Sequence, residues 1–282
     1  MAKRRYEFDE AKLARFLKEG RGQGTGIDYL PWLTIYDVPS QGRVARIPGI
    51  KSGRLHHTLS DIESGLIRLL DWSENVTDIR EQFPLDREVT RQIAASMGIA
   101  HPQDPKTGID IIMTTDVLVD VNNLRGCRRF ARAVKLSTDL DDSRTIEKLE
   151  IERRYWEQQA TETDWGIVTE QELPQQRITN ITWACEMHSL DSLTAPYKEY
   201  WHDRCARLLN TLEATPQSVS VKEVLLSLEV RYGFLPGEGL TVIRHMIATK
   251  VIVIDMDKPF SVSGPVSQIQ IFHRGDAAWI AA

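Results

Sequence analysis

Two acidic residues and a lysine occur in an order that could support metal-dependent cleavage of a phosphodiester bond. Glu63 ends the segment SDIE, Asp116 lies near the start of the apolar run TTDVLVDVNN, and Lys135 ends the next apolar run. Mg²⁺ prefers oxygen ligands and is usually held by one or two carboxylates together with phosphate oxygens of the substrate. We therefore take Glu63 and Asp116 as candidate ligands of Mg²⁺ or Mn²⁺. Lys135 is the candidate catalytic group that stabilises charge and orients the nucleophile.

Each of these residues also has a purely structural interpretation. Ser60 and Glu63 have the spacing of a capping box at a helix N-terminus, and Asp116 could simply begin a strand. Lys135 could lie exposed at a strand end, as most lysines do. Asp120 is a second candidate acid, but four residues of strand separate it from Asp116 by about 13 Å, too far for one ion. Spacing alone leaves the catalytic and structural interpretations open.

The elements that must position these residues are predicted from periodicity and capping signals. A first helix is predicted over residues 8–19, and the glycine-rich segment that follows it lacks the lysine of a phosphate-binding loop. A second helix begins at Ser60. Strands are predicted at 76–81, 115–121, 129–135 and 165–169, and the charged helix SRTIEKLEIERRYWEQQ separates the last two. The chain is thus predicted to be of mixed α/β class.

The last third of the chain predicts a different architecture. Two helices, SVKEVLLSLEVRYG and LPGEGLTVIRHMIATK, precede two strands joined by a turn, which is the order of a winged helix. Winged helices often bind DNA, but residues 166–282 carry 10 basic against 13 acidic side chains, so docking to a protein is at least as well supported. We predict a catalytic domain at residues 1–170 and a winged-helix-like domain at residues 171–282.

Charge is unevenly distributed along the chain. Residues 1–60 contain 11 lysines and arginines against 6 acidic residues, a net charge of +5, whereas the whole chain carries −5. Such an excess can position double-stranded DNA through its phosphates, although short basic excesses are also common on solvated faces. The candidate DNA contacts shortly precede Glu63 and are Arg43, Arg46, Lys51 and Arg54.

Composition indicates a globular protein. At 282 residues, with 41% hydrophobic and 27% charged, the chain can bury the cores of two domains. It contains no apolar run of the roughly 18 residues that a membrane span needs, and its first residues are too charged for a signal peptide. We expect a cytoplasmic bacterial protein without a membrane partner, associated with the nucleoid when bound to DNA.

The cysteines offer one further metal pattern. Cys185-x-x-His188 and His202-x-x-Cys205 have paired spacing that could hold Zn²⁺, but the stretch from 181 to 212 looks helical and apolar. We therefore favour cysteines packed as small apolar side chains over a zinc site. With Cys127 the cysteines number three and form no CxxC pair, so a disulfide framework is not expected.

Five segments, in the same order, resemble the TnsA endonucleases of heteromeric transposases. They span about residues 10–170 and are KEGRGQGTGIDYLPWLTIYDVPSQGR, HHTLSDIE, VTDIREQFPL, MTTDVLVD and RTIEKLEIERRYW. The resemblance implies a restriction-endonuclease-like domain that cuts the 5′ ends of a transposon, while a TnsB-type transposase cuts and joins the 3′ ends. It also implies that the C-terminal half engages a TnsC-type AAA+ ATPase.

The resemblance also assigns the site. It places the family's glutamate on Glu63, its aspartate on Asp116 and its lysine on Lys135. The family's glutamine, two residues before the lysine, falls on Ala133, which departs from the pattern. Because side chains alternate along a strand, position 133 is predicted to face the site together with Lys135. Without that glutamine, Glu63, Asp116 and backbone carbonyls are left to hold the metal.

Two other functions remain open from the sequence. A catalytically weak or inactive DNA- or protein-binding subunit fits the winged helix and the alanine at position 133, and a stand-alone restriction-type nuclease fits the order of acids and lysine. Mg²⁺-dependent cleavage by the isolated chain would favour the stand-alone nuclease, because a subunit regulated by assembly is nearly silent alone. An inactive subunit would stay silent with every partner present.

Overall fold

A computed structural model describes residues 7–38, 43–123 and 126–272 of the protein. The chain divides into two compact units, one ending at Leu173 and the other beginning at Pro174. Both units contain helices and strands, which confirms the mixed α/β class. Within the described residues, no helix is long and apolar enough to cross a membrane.

The first unit is built around a four-stranded sheet. Its helices are α1 (Glu10–Lys18), α2 (Asp61–Trp72), α3 (Arg87–Ser96) and α4 (Ser143–Glu157), with short 3₁₀ helices at Gly26–Asp28 and Ser137–Asp141. A two-stranded sheet contains β1 (Ala45–Pro48) and β2 (Leu55–Thr58). The central sheet contains, in spatial order, β3 (Val76–Pro84), β4 (Thr114–Asn123), β5 (Gly126–Val134) and β6 (Thr163–Val168).

Strand direction and register in the central sheet determine which residues meet. Strands β3, β4 and β5 pair antiparallel, whereas β6 runs parallel to β5, and α4 supplies the crossover that a parallel neighbour requires. Val117 pairs with Glu81 on one side and with Arg132 on the other. By the same register, positions 82, 116 and 133 form one row across three strands.

Apolar side chains from the sheet, α3 and α4 form the main core of the first unit. Its buried members are Leu85, Ile93, Ala94, Met113, Leu118, Ala131, Ile151, Tyr155 and Trp156. A second cluster packs α1 against the following loop, with the rings of Phe16 and Trp32 edge to face at 5.2 Å between centroids. Burying side chains of this size contributes about 1.5–3 kcal/mol each, so the core holds the sheet and α4 in fixed relation.

The predicted elements of this unit agree with the structure except at their ends. The first helix is shorter than predicted, and β3 and β4 are longer. Lys135 was predicted within a strand but follows the last residue of β5, although its N–H still donates to the carbonyl of Val168 at 3.1 Å. Strands β1 and β2 and helix α3 are additional elements.

The second unit is mainly helical. It contains α5 (Gln175–Cys185), α6 (Tyr200–Ala214), α7 (Val221–Tyr232) and α8 (Glu238–Ala248), then the antiparallel pair β7 (Ile252–Ile254) and β8 (Ile269–Ile271), with a 3₁₀ helix at Val266–Gln268. The two helices and two strands predicted after residue 219 are confirmed. The continuous helical stretch predicted from 181 to 212 is wrong, because α5 and α6 are separate helices.

Candidate active site

Asp116 is the third residue of β4 and is contacted from both neighbouring strands. Its Oδ2 accepts hydrogen bonds from the N–H of Val134 at 2.7 Å and from Nζ of Lys135 at 2.9 Å. Its Oδ1 accepts one from Nε2 of Gln82 at 3.3 Å. The structure therefore brings two of the three predicted catalytic residues into direct contact, with the carboxylate side chain 15% exposed.

Lys135 is held as a cation by this contact. Its ammonium also donates to the carbonyl of Val134 at 2.8 Å. Burial disfavours the charged form, but the carboxylate of Asp116, together with the charges of Glu152 and Glu63, outweighs burial and raises the pKa of Lys135. An ammonium with a raised pKa is a poor general base at neutral pH, so Lys135 can contribute positive charge rather than remove a proton.

Glu63 lies in the first turn of α2 and is 6% exposed. Ser60 caps the helix as predicted, because its hydroxyl accepts from the N–H of Glu63 at 3.1 Å. The Glu63 carboxylate accepts from the N–H of Leu59 at 2.9 Å and from the Ser60 hydroxyl at 3.0 Å. Burial, and next the charge of Asp116, raise the pKa of Glu63 to about 7. Glu63 therefore takes part in capping α2, and its role in a catalytic site stays a prediction.

Helix α4 brings a third acid that the sequence analysis missed. Glu152 is buried, and its Oε1 accepts from the hydroxyl of Thr115 at 2.8 Å, which in turn accepts from the indole of Trp156 at 2.7 Å. Burial, followed by the charge of Asp116, raises the pKa of Glu152 to about 7. A signal existed in the sequence, because Leu149, Glu152 and Trp156 have the spacing of one buried helix face, where an unpaired acid is rare.

The acids around Asp116 suit a divalent cation. The pKa values of Glu63 and Glu152 are raised first by burial and next by the charge of Asp116, so a bound cation would favour the ionised form of both. The atoms of this cluster that could bind a metal are all carboxylate oxygens, the type of ligand that Mg²⁺ and Mn²⁺ prefer. Among the described residues, no group of three or more His, Cys, Asp or Glu side chains is arranged so that it could hold a metal ion. Mg²⁺ usually completes its coordination with water and substrate phosphate, so an open set of carboxylates fits this ion.

The predicted DNA contacts fall into two groups. Arg43 and Arg46 are exposed, Arg43 pairs with Asp61 at 2.9 Å, and Lys51 is half-buried. Arg54 differs, because its side chain is 8% exposed and donates to both carboxylate oxygens of Glu81, at 2.7 and 2.6 Å. The guanidinium of Arg54 is engaged inside the fold, which does not favour the predicted contact with DNA.

Glu81 is the centre of a separate buried network on β3. His56 Nδ1 lies 2.7 Å from its Oε2, and the N–H of His57 donates to its Oε1 at 3.0 Å. Burial opposes ionisation, but Arg54 and His56 outweigh it and lower the pKa of Glu81 to about 2. The residue immediately before Gln82 is thus a fully compensated carboxylate.

The remaining candidates lie outside the site. Asp120 accepts hydrogen bonds from Arg80 and Arg129, which occupy its carboxylate. In the second unit, Cys185 ends α5, whereas Cys205 lies within α6, where burial raises the pKa of its thiol to about 11. A protonated thiol is a weak metal ligand.

Comparison with known proteins identifies the family. Residues 73–170 match the family described as TnsA-like endonuclease N terminal, and residues 172–256 match TnsA endonuclease C terminal. Of the site acids, Glu63 alone precedes the first match. The transposon Tn7 transposition protein TnsA of Escherichia coli is 40% identical over 266 residues, which cover 92% of this chain and 91% of that protein. The chain therefore belongs to the TnsA endonuclease family of Tn7-like transposases, as the resemblance implied.

Proposed function

We propose that this protein is a Mg²⁺- or Mn²⁺-dependent DNA endonuclease that hydrolyses phosphodiester bonds at the 5′ ends of a transposon. The observation that carries the proposal is the position of Asp116, which contacts the ammonium of Lys135 and raises the pKa of two buried glutamates. Family membership supports DNA as the substrate, with a TnsB-type transposase and a TnsC-type ATPase as partners. Acting on bacterial DNA, the protein works in the cytoplasm.

The residues of the site have distinct tasks. Glu63 and Asp116 would hold the metal, which would act as a Lewis acid and lower the pKa of a water molecule. The N–H of Val134 keeps Oδ2 of Asp116 in place, so the carboxylate needs little reorganisation. Lys135 stabilises the negative charge that develops on the phosphate. Glu152, whose pKa is raised, adds to the negative charge that draws a cation to this end of β4.

We propose a different architecture for each of the two units. An acid on a helix, an acid on a strand and a lysine at the end of the next strand fit a restriction-endonuclease-like first unit. Helices α6 to α8 followed by β7 and β8 fit a winged-helix-like second unit. Two polar side chains of α8, the second helix of the predicted winged helix, are engaged within the protein: Arg244 donates to the carbonyl of Trp183 at 2.8 Å, and His245 Nδ1 lies 3.0 Å from the carbonyl of Met187. This favours docking to a partner protein, which in this family is the ATPase.

Reconstituted excision tests the catalytic assignment. With transposase, ATPase, transposon DNA and Mg²⁺ present, we expect Glu63→Ala and Asp116→Ala each to reduce 5′-strand cleavage about a thousandfold. Removing a metal ligand forfeits several kcal/mol of charge stabilisation, and about 4 kcal/mol corresponds to that factor.

The control is Asp164→Ala, which removes an acid on β6 that pairs with Arg132 at 2.8 Å and leaves cleavage at the wild-type rate. Wild-type cleavage by either site variant, or undiminished cleavage in the presence of EDTA, would refute the proposal. Efficient cleavage by the isolated chain would instead indicate a stand-alone nuclease.

A further inference from the structure

Gln82 has an unusual backbone for a glutamine inside a strand. Its φ is +48°, in the left-handed region that side chains other than glycine rarely adopt, and it is 2% exposed. The carbonyl of Gln82 accepts from the N–H of Trp32 at 3.1 Å, which helps to hold this conformation. Strained residues of this kind persist where the surroundings over-determine them, and they concentrate at functional sites.

The side-chain amide of Gln82 has a defined orientation. The hydroxyl of Thr114 donates to its Oε1 at 3.1 Å, which commits that oxygen as an acceptor. The amide nitrogen then faces the other way and donates to Oδ1 of Asp116 at 3.3 Å. Because an ionised carboxylate only accepts, Asp116 fixes which end of the amide meets it, and the hydroxyl of Thr114 holds the other end.

In the row of positions 82, 116 and 133 across the sheet, Asp116 has a neighbour with a polar side chain on β3 but not on β5. Gln82 and Ala133 flank Asp116 on β3 and β5, and Ala133 is fully buried with no polar side-chain atom. Val134 at the end of β5 and Lys135 directly after it contact Oδ2, whereas Gln82 contacts Oδ1 from β3. The rotation of the carboxylate is thus set by groups on both sides, and β3 supplies the contact to Oδ1.

A neutral donor suits a metal ligand better than a cationic one. Arg54 donates to both oxygens of Glu81, so its positive charge compensates the charge of that carboxylate. An amide with a single long hydrogen bond orients Oδ1 without cancelling its charge, so the oxygen stays available to a cation. We propose that Gln82 is a positioning residue that aims Asp116 at a divalent cation. This inference rests on the proposed metal-dependent function.

The test compares metal binding and cleavage in the full-length chain. Gln82→Met keeps the side-chain length and removes the amide, and we expect the affinity for Mn²⁺ alone, measured by calorimetric titration, to fall about tenfold. In reconstituted cleavage, kcat should fall by a similar factor while the KM for transposon DNA stays unchanged. A loss of folded protein alone would not produce this combination.

Gln103→Met is the matched control, because Gln103 also donates through Nε2 to an aspartate, Asp110, at 3.0 Å, but outside the site. We expect its Mn²⁺ affinity and kcat to equal those of the wild type. Thr114→Val keeps Gln82 but removes the hydrogen bond to its Oε1, so the amide is held less firmly. We expect this variant to bind Mn²⁺ more weakly than the wild type but more tightly than Gln82→Met. It is the deciding variant if thermal melting shows that Gln82→Met does not fold.

The outcomes separate this inference from the proposed function. Asp116→Asn that keeps wild-type Mn²⁺ affinity would overturn the metal site itself, and the role of Gln82 with it. If Asp116→Asn loses Mn²⁺ but a folded Gln82→Met, or failing that Thr114→Val, binds Mn²⁺ and cleaves as the wild type does, the positioning role alone is overturned.

Discussion

Glu81 on β3 and Asp116 on β4 are acids of the same sheet with opposite surroundings. Glu81 is saturated by Arg54, His56 and a backbone N–H, and the pKa of its carboxyl falls to about 2. Asp116 receives one ammonium, and its charge adds to burial, the larger cause, in raising the pKa of Glu63 and of Glu152 to about 7. A carboxylate that serves the fold is fully compensated by protein cations. The carboxylate proposed to serve catalysis is oriented and receives only one protein cation.

Asp120 extends the comparison along β4. Asp120 is also an aspartate on β4, but Arg80 and Arg129 both donate to its carboxylate. Its surroundings therefore resemble those of Glu81. Compensation by arginine, rather than burial or strand position, therefore distinguishes the structural acids of this sheet from the candidate ligand.

The largest expected contrast concerns stability. Glu81→Gln leaves Arg54 buried without its partner, and we expect the free energy of unfolding in urea to fall by about 3–5 kcal/mol. Asp116→Asn gives up one partly exposed ion pair with Lys135 and relieves repulsion from the glutamates, so its free energy of unfolding should stay within about 1 kcal/mol of the wild type.

Glu10→Gln is the control for that contrast, because Glu10 pairs with Arg87 at 2.8 Å on the surface. Its loss should cost less than about 1 kcal/mol. If Asp116→Asn destabilised the fold as much as Glu81→Gln, the division between a structural and a catalytic acid would fail.

A smaller effect is expected in acid. The pKa of Glu81 is lowered from its ordinary value of 4.5 to about 2, so its ionised form stabilises the fold at every pH above 4.5. That contribution is lost as the pH falls through the window from 4.5 to about 2. Urea unfolding across this window should therefore show a steeper loss of stability in the wild type than in Glu81→Gln. Parallel slopes would mean that Glu81 is not compensated as described.

The smallest effect separates the basic residues. Replacing Arg43, Arg46 and Lys51 with glutamine should weaken binding to double-stranded DNA similarly for different sequences. The slope of log affinity against log salt should flatten by up to about 2.7, since each phosphate contact contributes about 0.9. Arg54→Gln should lower stability and leave the salt slope unchanged. If the triple variant kept the wild-type salt slope, these three residues would not be DNA contacts.

Local patterns in the sequence predict part of this site. The apolar runs around Asp116 and before Lys135 predict two strands, and the serine and glutamate of SDIE predict the start of α2. These features are encoded by residues close together in the chain, so periodicity and capping are sufficient to find them.

The features that were missed depend on distant residues. Arg54 resembles its basic neighbours in sequence, but its burial is decided by Glu81, 27 residues later. The importance of Gln82 follows from strand register and from a left-handed backbone, neither of which a single strand's composition reveals. Strands β1 and β2 have four residues each, too few for an alternating pattern to stand out.

The parallel pairing of β5 and β6 also affects when Lys135 is anchored during synthesis of the protein. Asp116 and Lys135 leave the ribosome before α4 and β6, yet the N–H of Lys135 bonds to Val168 on β6, and Glu152 comes from α4. A nascent chain that ends before Val168 holds both charged residues without the strand that anchors one of them. The backbone anchor of Lys135 therefore forms only after β6 has been synthesised and has paired with β5.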